Sequence, residues 1–165
     1  MDGIFGSDNA ANGHPQASRL VVTESEIEHV TNDLVQHRVS IDRFTGGALD
    51  TALFTEAPVF KTKDTLVKVN LCLQNPKHSE IGLLLLLLKD LWTSDLAIGG
   101  EASVGRGRLH GNEANLIFRH DQVETWHIKR SGEKLAISPE GGPEALQGYV
   151  KCLNDHLLGK EETKQ

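Results

Sequence analysis

The sequence predicts an α+β protein, rich in antiparallel strands and carrying two helices. Three observations predict it. Apolar and polar residues alternate over 34–41 (LVQHRVSI) and 65–73 (TLVKVNLCL), the two-residue period of half-buried strands. Residues 81–91 are apolar at nearly every position, as in a helix buried on several sides. Residues 144–158 place Leu146, Tyr149, Val150, Leu153 and Leu157 on one side of a helix. A chain of 165 residues suits one domain, expected over 1–158 with a charged tail at 159–165.

Taken in order, residues 1–17 read as a loop rich in the turn formers Gly, Asn, Ser, Asp and Pro. Ile4 and Phe5 stand out there as an anchor into a core. Residues 18–23 (SRLVVT) have strand composition, and the acidic segment 24–32 reads as a short helix or a loop. Within DRFTGGALD (42–50) the pair Gly46-Gly47 signals a turn, and Leu53-Phe54 resumes strand character. Residues 42–60 therefore read as a protruding hairpin or arm, ahead of the clearest strand at 65–73. Asn75-Pro76 breaks the chain, and Ser79 is placed to cap a helix starting near Glu80. After a glycine-rich segment come strands at 114–118, 122–129 and 134–138, with His120-Asp121 at the first turn and a loop at 139–143.

Bulk properties narrow the function. The net charge is −6, from 23 acidic and 17 basic residues, which argues against a general nucleic-acid coat but leaves room for a local basic groove. Cys72 and Cys152 form no C-x-x-C pair, so a structural zinc site is not expected and a reducing cytoplasm fits. The eight histidines are scattered without metal-ligand spacing, although His37 and His110 fall where a groove is expected. Trp92 and Trp126 read as core. The leucine run 83–88 is far short of the roughly 20 apolar residues of a membrane span, and no signal peptide is visible.

The segment 99–111 (GGEASVGRGRLHG) carries the clearest chemistry. Its glycines reach positive φ and let a ligand approach bare backbone. Successive amides in such a loop form a concave anion site, and Arg106 and Arg108 add donors suited to phosphate. A nucleotide P-loop needs Gly-Lys followed by Ser or Thr, a trio absent here. A dinucleotide fingerprint needs G-x-G-x-x-G between a strand and a helix, whereas Gly105, Gly107 and Gly111 are spaced otherwise and follow a helix. By itself the loop supports two readings equally: a grip on a polynucleotide backbone, and a surface loop with solvated arginines.

Three blocks in order resemble one family. They are Ile4-Phe5-Gly6 followed by Ala17-Ser18-Arg19-Leu20; Val39-Ser40-Ile41-Asp42-Arg43 with Thr45-Gly46 and later Ala52-Leu53-Phe54; and Ile98-Gly99-Gly100 through Gly111. Together, over about residues 4 to 118, they resemble the RAMP superfamily (repeat-associated mysterious proteins). Within it they resemble the backbone subunits of type III CRISPR effector complexes.

The resemblance implies a modified RNA-recognition fold, a partial ferredoxin-like βαββαβ arrangement with a protruding thumb hairpin and a glycine-rich loop. It implies subunits stacked along a CRISPR RNA. Gly99, Gly100, Ser103, Gly105, Arg106, Gly107 and Arg108 would then contact the guide backbone, with Arg38 and Arg43 as further RNA contacts. Phe44, Leu49, Leu53 and Phe54 would form a thumb wedge that displaces a base at intervals. An aromatic stacked on a base contributes roughly 1–3 kcal/mol.

In the family, a strand, a helix and further strands precede the Phe-Gly block, and the RNA-cleaving aspartate lies in that portion. The expectation is a split or shortened member, or one whose first half comes from a separate chain. No cleaving residue transfers to this sequence, and Asp42 and Asp50 are the remaining carboxylates weighed for that role. An ion pair between Asp42 and Arg43 that steadies the hairpin is the structural alternative.

The leading reading is thus a CRISPR RNA-binding structural subunit of an antiviral, RNA-guided effector in the cytoplasm. Its partners would be CRISPR RNA, target RNA, other RAMP subunits and a separate chain supplying the first half, with no membrane, no resident metal and no cofactor, Mg2+ entering only in the case that target RNA is cleaved. Two alternatives are a metal-dependent endoribonuclease and an assembly protein that keeps the fold without binding RNA.

Overall fold

The structure, a computed structural model, describes residues 2–6, 17–31, 33–119, 122–132, 134–139 and 141–159. Most of the expected N-terminal loop, the His120-Asp121 turn and the charged tail from 160 lie outside the described residues. The chain is α+β and divides into two compact units, Met1–Gln74 and Asn75–Gln165.

The first unit is a nested antiparallel ribbon. A single helical turn, α1 (Asp2–Phe5), leads in. Then β1 (Leu20–Thr23) pairs with β6 (Asn70–Leu73), β2 (Ile27–Thr31) with β5 (Phe60–Val67), and β3 (Gln36–Ile41) with β4 (Ala48–Glu56). Leu20 lies opposite Leu73, Ile27 opposite Val67, Gln36 opposite Glu56 and Ile41 opposite Ala48. Each ladder therefore sits inside the previous one. The hairpin expected over 42–60 is formed instead by β3 and β4 over 36–56, with its turn at 42–47, and residue 60 already belongs to β5.

Further expectations are corrected here. The strand expected over 65–73 is two strands, β5 ending at Val67 and β6 starting at Asn70, because each half finds a different partner. Residues 27–31 are a strand, neither helix nor loop, because Ile27, Val30 and Thr31 suit a pleated surface and find β5 opposite. The N-terminal anchor is Ile4 alone. Ile4 is 2% exposed, while Phe5 is 64% exposed. The Ile4 carbonyl accepts hydrogen bonds from Arg19 N–H at 3.0 Å and from the Ser18 hydroxyl at 2.9 Å, which ties the turn to the base of the ribbon.

The ribbon is kinked twice. Its register shifts between Glu28 and Val30, where His29 sits at φ 54° and its carbonyl accepts the hydroxyls of Thr62 (2.6 Å) and Thr65. It shifts again between Val39 and Ile41, across from Thr51 at φ 63°. Such bulges increase local twist and re-aim the strand beyond them.

The second unit holds α2 (His78–Trp92), a three-stranded sheet of β7 (Glu113–Arg119), β8 (Val123–Ser131) and β9 (Lys134–Ser138), and α3 (Gly142–Leu157). The sheet order is β7-β8-β9, antiparallel throughout. The order α2-β7-β8-α3 follows the middle of the ferredoxin-like βαββαβ sequence, with β9 added. At the start of α2 the Glu80 carboxylate accepts the Lys77 N–H at 2.8 Å; Ser79, expected as the cap, is buried inside the helix.

The two helices pack closely because Gly82 has no side chain: a Cβ there would overlap the Tyr149 carbonyl. Tyr149 reaches Phe118 in a stacked pair at 5.7 Å and Trp126 at 6.4 Å, and Phe118 meets Trp126 at 4.8 Å. With Ile81, Trp92, Ile128 and Leu153 these rings make the core of the unit. The Trp92 ring fills the space a side chain at Gly111 would need. The leucines at 83–88 are only half-buried, so α2 is less fully covered than its all-apolar face leads one to expect.

Candidate nucleic-acid interface

The tip of the ribbon is a tied turn. Asp42 Oδ1 accepts N–H bonds from Phe44 at 2.6 Å and Thr45 at 3.1 Å. Asp42 N–H donates to the Gly47 carbonyl at 2.8 Å, and Gly46 N–H to the Asp42 carbonyl at 2.9 Å. Gly46, at φ 69°, makes the reversal that a residue with a side chain resists. The bonds from Phe44 and Thr45 hold the Asp42 carboxyl below its ordinary range. Asp42 is thus committed to the turn, and among the described residues it makes no ion pair with Arg43. The turn presents Phe44 almost bare, 98% exposed.

Behind the tip the wedge residues divide between faces. Leu53 lies opposite Val39, and Phe54 opposite Arg38. Consecutive strand residues point to opposite faces, so Leu53 and Phe54 do not act as one surface. Leu53 is 71% exposed, and Val39, Ile41 and Leu49 are exposed too. Arg38 sits mid-ribbon, 3.3 Å from the Glu56 carboxylate and 3.3 Å from Gln36 Oε1. His37 Nδ1 lies 3.0 Å from the Thr55 hydroxyl on the other face. Asp50 is exposed on β4. Among the described residues no three His, Cys, Asp or Glu side chains converge as a metal site would require.

In the second unit, the glycine-rich segment is a closed loop. Its neck is the bridge between Ala97 and Arg108, with Ile98 N–H donating to the Gly107 carbonyl at 2.9 Å. Gly107, at φ 73°, has the Ile98 backbone where a side chain would be. A single turn, η1 (Ala102–Val104), lies at the crown, flanked by Glu101 at φ 60° and Gly105 at φ 84°. Nothing crowds the Cβ positions of Gly99, Gly100 and Gly105, and Ser103 is exposed.

The two loop arginines hold the loop together. The Arg108 guanidinium donates to the carbonyls of Ser94 at 2.5 Å and Asp95 at 3.1 Å, clamping the neck. Arg106 forms an ion pair with Glu101 across the crown. His110 Nδ1 lies 2.9 Å from the Ser94 hydroxyl, which also donates to the Leu109 carbonyl. The acidic partner of Arg106 carries no distinctive local signal: Glu101 is one carboxylate among many, and only the left-handed turn at 101 brings it round.

A family model for the RAMP superfamily matches residues 1–110, which includes the ribbon, its tip and the glycine loop up to His110. The chain belongs to the RAMP superfamily. Membership carries a CRISPR-associated, RNA-binding role in general terms, in complexes with other subunits. No match was found among curated proteins or among solved structures. Among the described residues of this RAMP protein, no helix is long and apolar enough to cross a membrane.

Proposed function

We propose that the chain is a guide-RNA-binding backbone subunit of a type III CRISPR effector, gripping the CRISPR RNA backbone and spacing its bases for pairing with target RNA. The observation that carries this reading is Phe44, held bare at the end of a β-ribbon by a turn tied through Asp42. An aromatic with its face in water costs apolar exposure, and a base stacked on it removes that exposure. Arg43 stands beside it, exposed, for a phosphate. Gly99, Gly100 and Gly105 leave the crown of the loop open to a sugar–phosphate chain, while Arg106 exchanges Glu101 for phosphate when RNA arrives. Contacts of this kind read backbone and shape rather than sequence.

Binding of single-stranded guide RNA to the full chain, followed by anisotropy, tests the reading. Phe44→Ala should weaken it by roughly 1–3 kcal/mol and abolish the fluorescence rise of an aminopurine base displaced by the thumb. Affinity and reporter signal unchanged in both Phe44→Ala and Arg43→Ala would remove the support.

A further inference from the structure

We infer that β7 is a self-complementary edge through which two copies of this chain join their three-stranded sheets into one continuous sheet. Among the described residues β7 has β8 on one side and no strand on the other. Its register is regular from Glu113 opposite Lys129 to Arg119 opposite Val123. Along its length there is no proline, no lysine and no bulge, and its two charges stand only at the ends.

The direction of its free backbone groups follows from the ladder. Arg130 N–H donates to the Asn112 carbonyl at 3.1 Å, which makes that opposed pair hydrogen-bonded. Because bonded and non-bonded pairs alternate, Ala114, Leu116 and Phe118 turn their backbone groups toward β8. Glu113, Asn115, Ile117 and Arg119 turn theirs toward the open edge. A second β7 running antiparallel about a two-fold axis at Leu116 sets Glu113 opposite Arg119 and Asn115 opposite Ile117. These are the residues whose N–H and C=O groups face outward, so the backbone parity is satisfied.

The side chains match in the same register. Glu113 and Arg119 are both exposed, and each meets the opposite charge on the other copy at the two ends of the strand. On the inner side, small Ala114 faces large Phe118 and Leu116 faces itself, continuing the half-buried row. The opposite edge, β9 (KLAIS), offers no such charge reversal about its centre. An interface in which one patch meets itself is the usual form of a two-fold dimer.

Sedimentation of the RNA-free full chain tests this. The wild-type chain should approach the mass of two 18.1 kDa chains with rising concentration. Glu113→Arg and Arg119→Glu should each weaken association tenfold or more, since each sets like charges opposite one another. The double variant Glu113→Arg/Arg119→Glu should restore it to within about threefold. Within one chain these residues stand about 20 Å apart at opposite ends of a strand, so the rescue can arise only between copies. Circular dichroism unchanged across the three variants checks the fold. A single-chain mass at every concentration, single variants that associate like wild type, or a double variant that fails to recover would each overturn the inference.

Discussion

Asp42 shows how one side chain shapes the rest of the tip. Its carboxylate stands in for a backbone acceptor, and two N–H groups hold it below the ordinary aspartate range. A depressed carboxyl stabilises the turn at pH above the unfolded value and loses that contribution as pH falls through the folded one. The Phe44 and Thr45 amides should therefore lose protection, measured against unstructured amides at the same pH, below the usual Asp range, and Asp42→Ala should remove that protection at neutral pH. Hydrogen exchange followed by NMR checks both, and protection that stays unchanged at acid pH, relative to unstructured amides at the same pH, would contradict the assignment.

Tyr149 behaves oppositely: burial, then Glu124 and Cys152, raise its phenol above the ordinary value. Its contribution is complete below the unfolded tyrosine range and falls as pH rises through the folded one. Phenolate absorbance should rise only above the pH at which free tyrosine titrates.

Gly82 is a third residue with a definite consequence. Replacing Gly with Ala in a helix ordinarily gains up to about 1 kcal/mol. Here the new methyl meets the Tyr149 carbonyl, part of a backbone that cannot rotate away, and overpacking costs about 1–3 kcal/mol. The second effect should win, and Gly82→Ala should melt several degrees lower than wild type in calorimetry.

At the scale of elements, ribbon and glycine loop differ in what holds them. A two-stranded ribbon is marginal in water by itself, and this one leaves Val21, Val22, Leu53, Leu66 and Val67 exposed. Limited proteolysis should cut at 57–59, between β4 and β5, before it cuts α2 or α3, and bound RNA should slow that cut. Equal rates in both units would show that the ribbon has support of another kind. The glycine loop, by contrast, is closed by its own arginines. Glu101→Gln releases Arg106 from a partner of like charge to phosphate, so RNA affinity should rise by roughly 1 kcal/mol.

Much of the architecture was legible at the level of elements. The period-two run at 34–41 marks β3 and the spacing in 144–158 marks α3, whereas the run at 65–73, which reads as one strand, divides between the end of β5 and β6 with a break at 68–69. The Gly46-Gly47 signal marks the ribbon tip. What the sequence hides is the partnering. Nothing local tells that 20–23 pairs with 70–73 or 27–31 with 60–67, because nested pairing is set across dozens of residues. Glu28, with Glu24 and Glu26 just ahead of it, masks the strand at 27–31, since β propensity yields to what lies opposite. Asp42 reads from the sequence as an ion-pair partner of Arg43 or a functional carboxylate, and its role in tying the turn shows only once the backbone path is known. Arg106 and Arg108 are visible as cations, but their commitments to Glu101 and to the Ser94 and Asp95 carbonyls depend on the fold of the loop.

For the molecule as a whole, a net charge of −6 offers no general attraction for RNA, so the proposed grip rests on a few local cations. The logarithm of affinity should fall with the logarithm of salt at a slope between about −1 and −3, as a handful of phosphate contacts on single strands requires. The most direct measurement is photo-crosslinking of guide RNA to the full chain, with the joined peptides read by mass spectrometry. Crosslinks should fall at Phe44 with its neighbours and within residues 99–108; crosslinks confined to other parts of the chain would contradict the account.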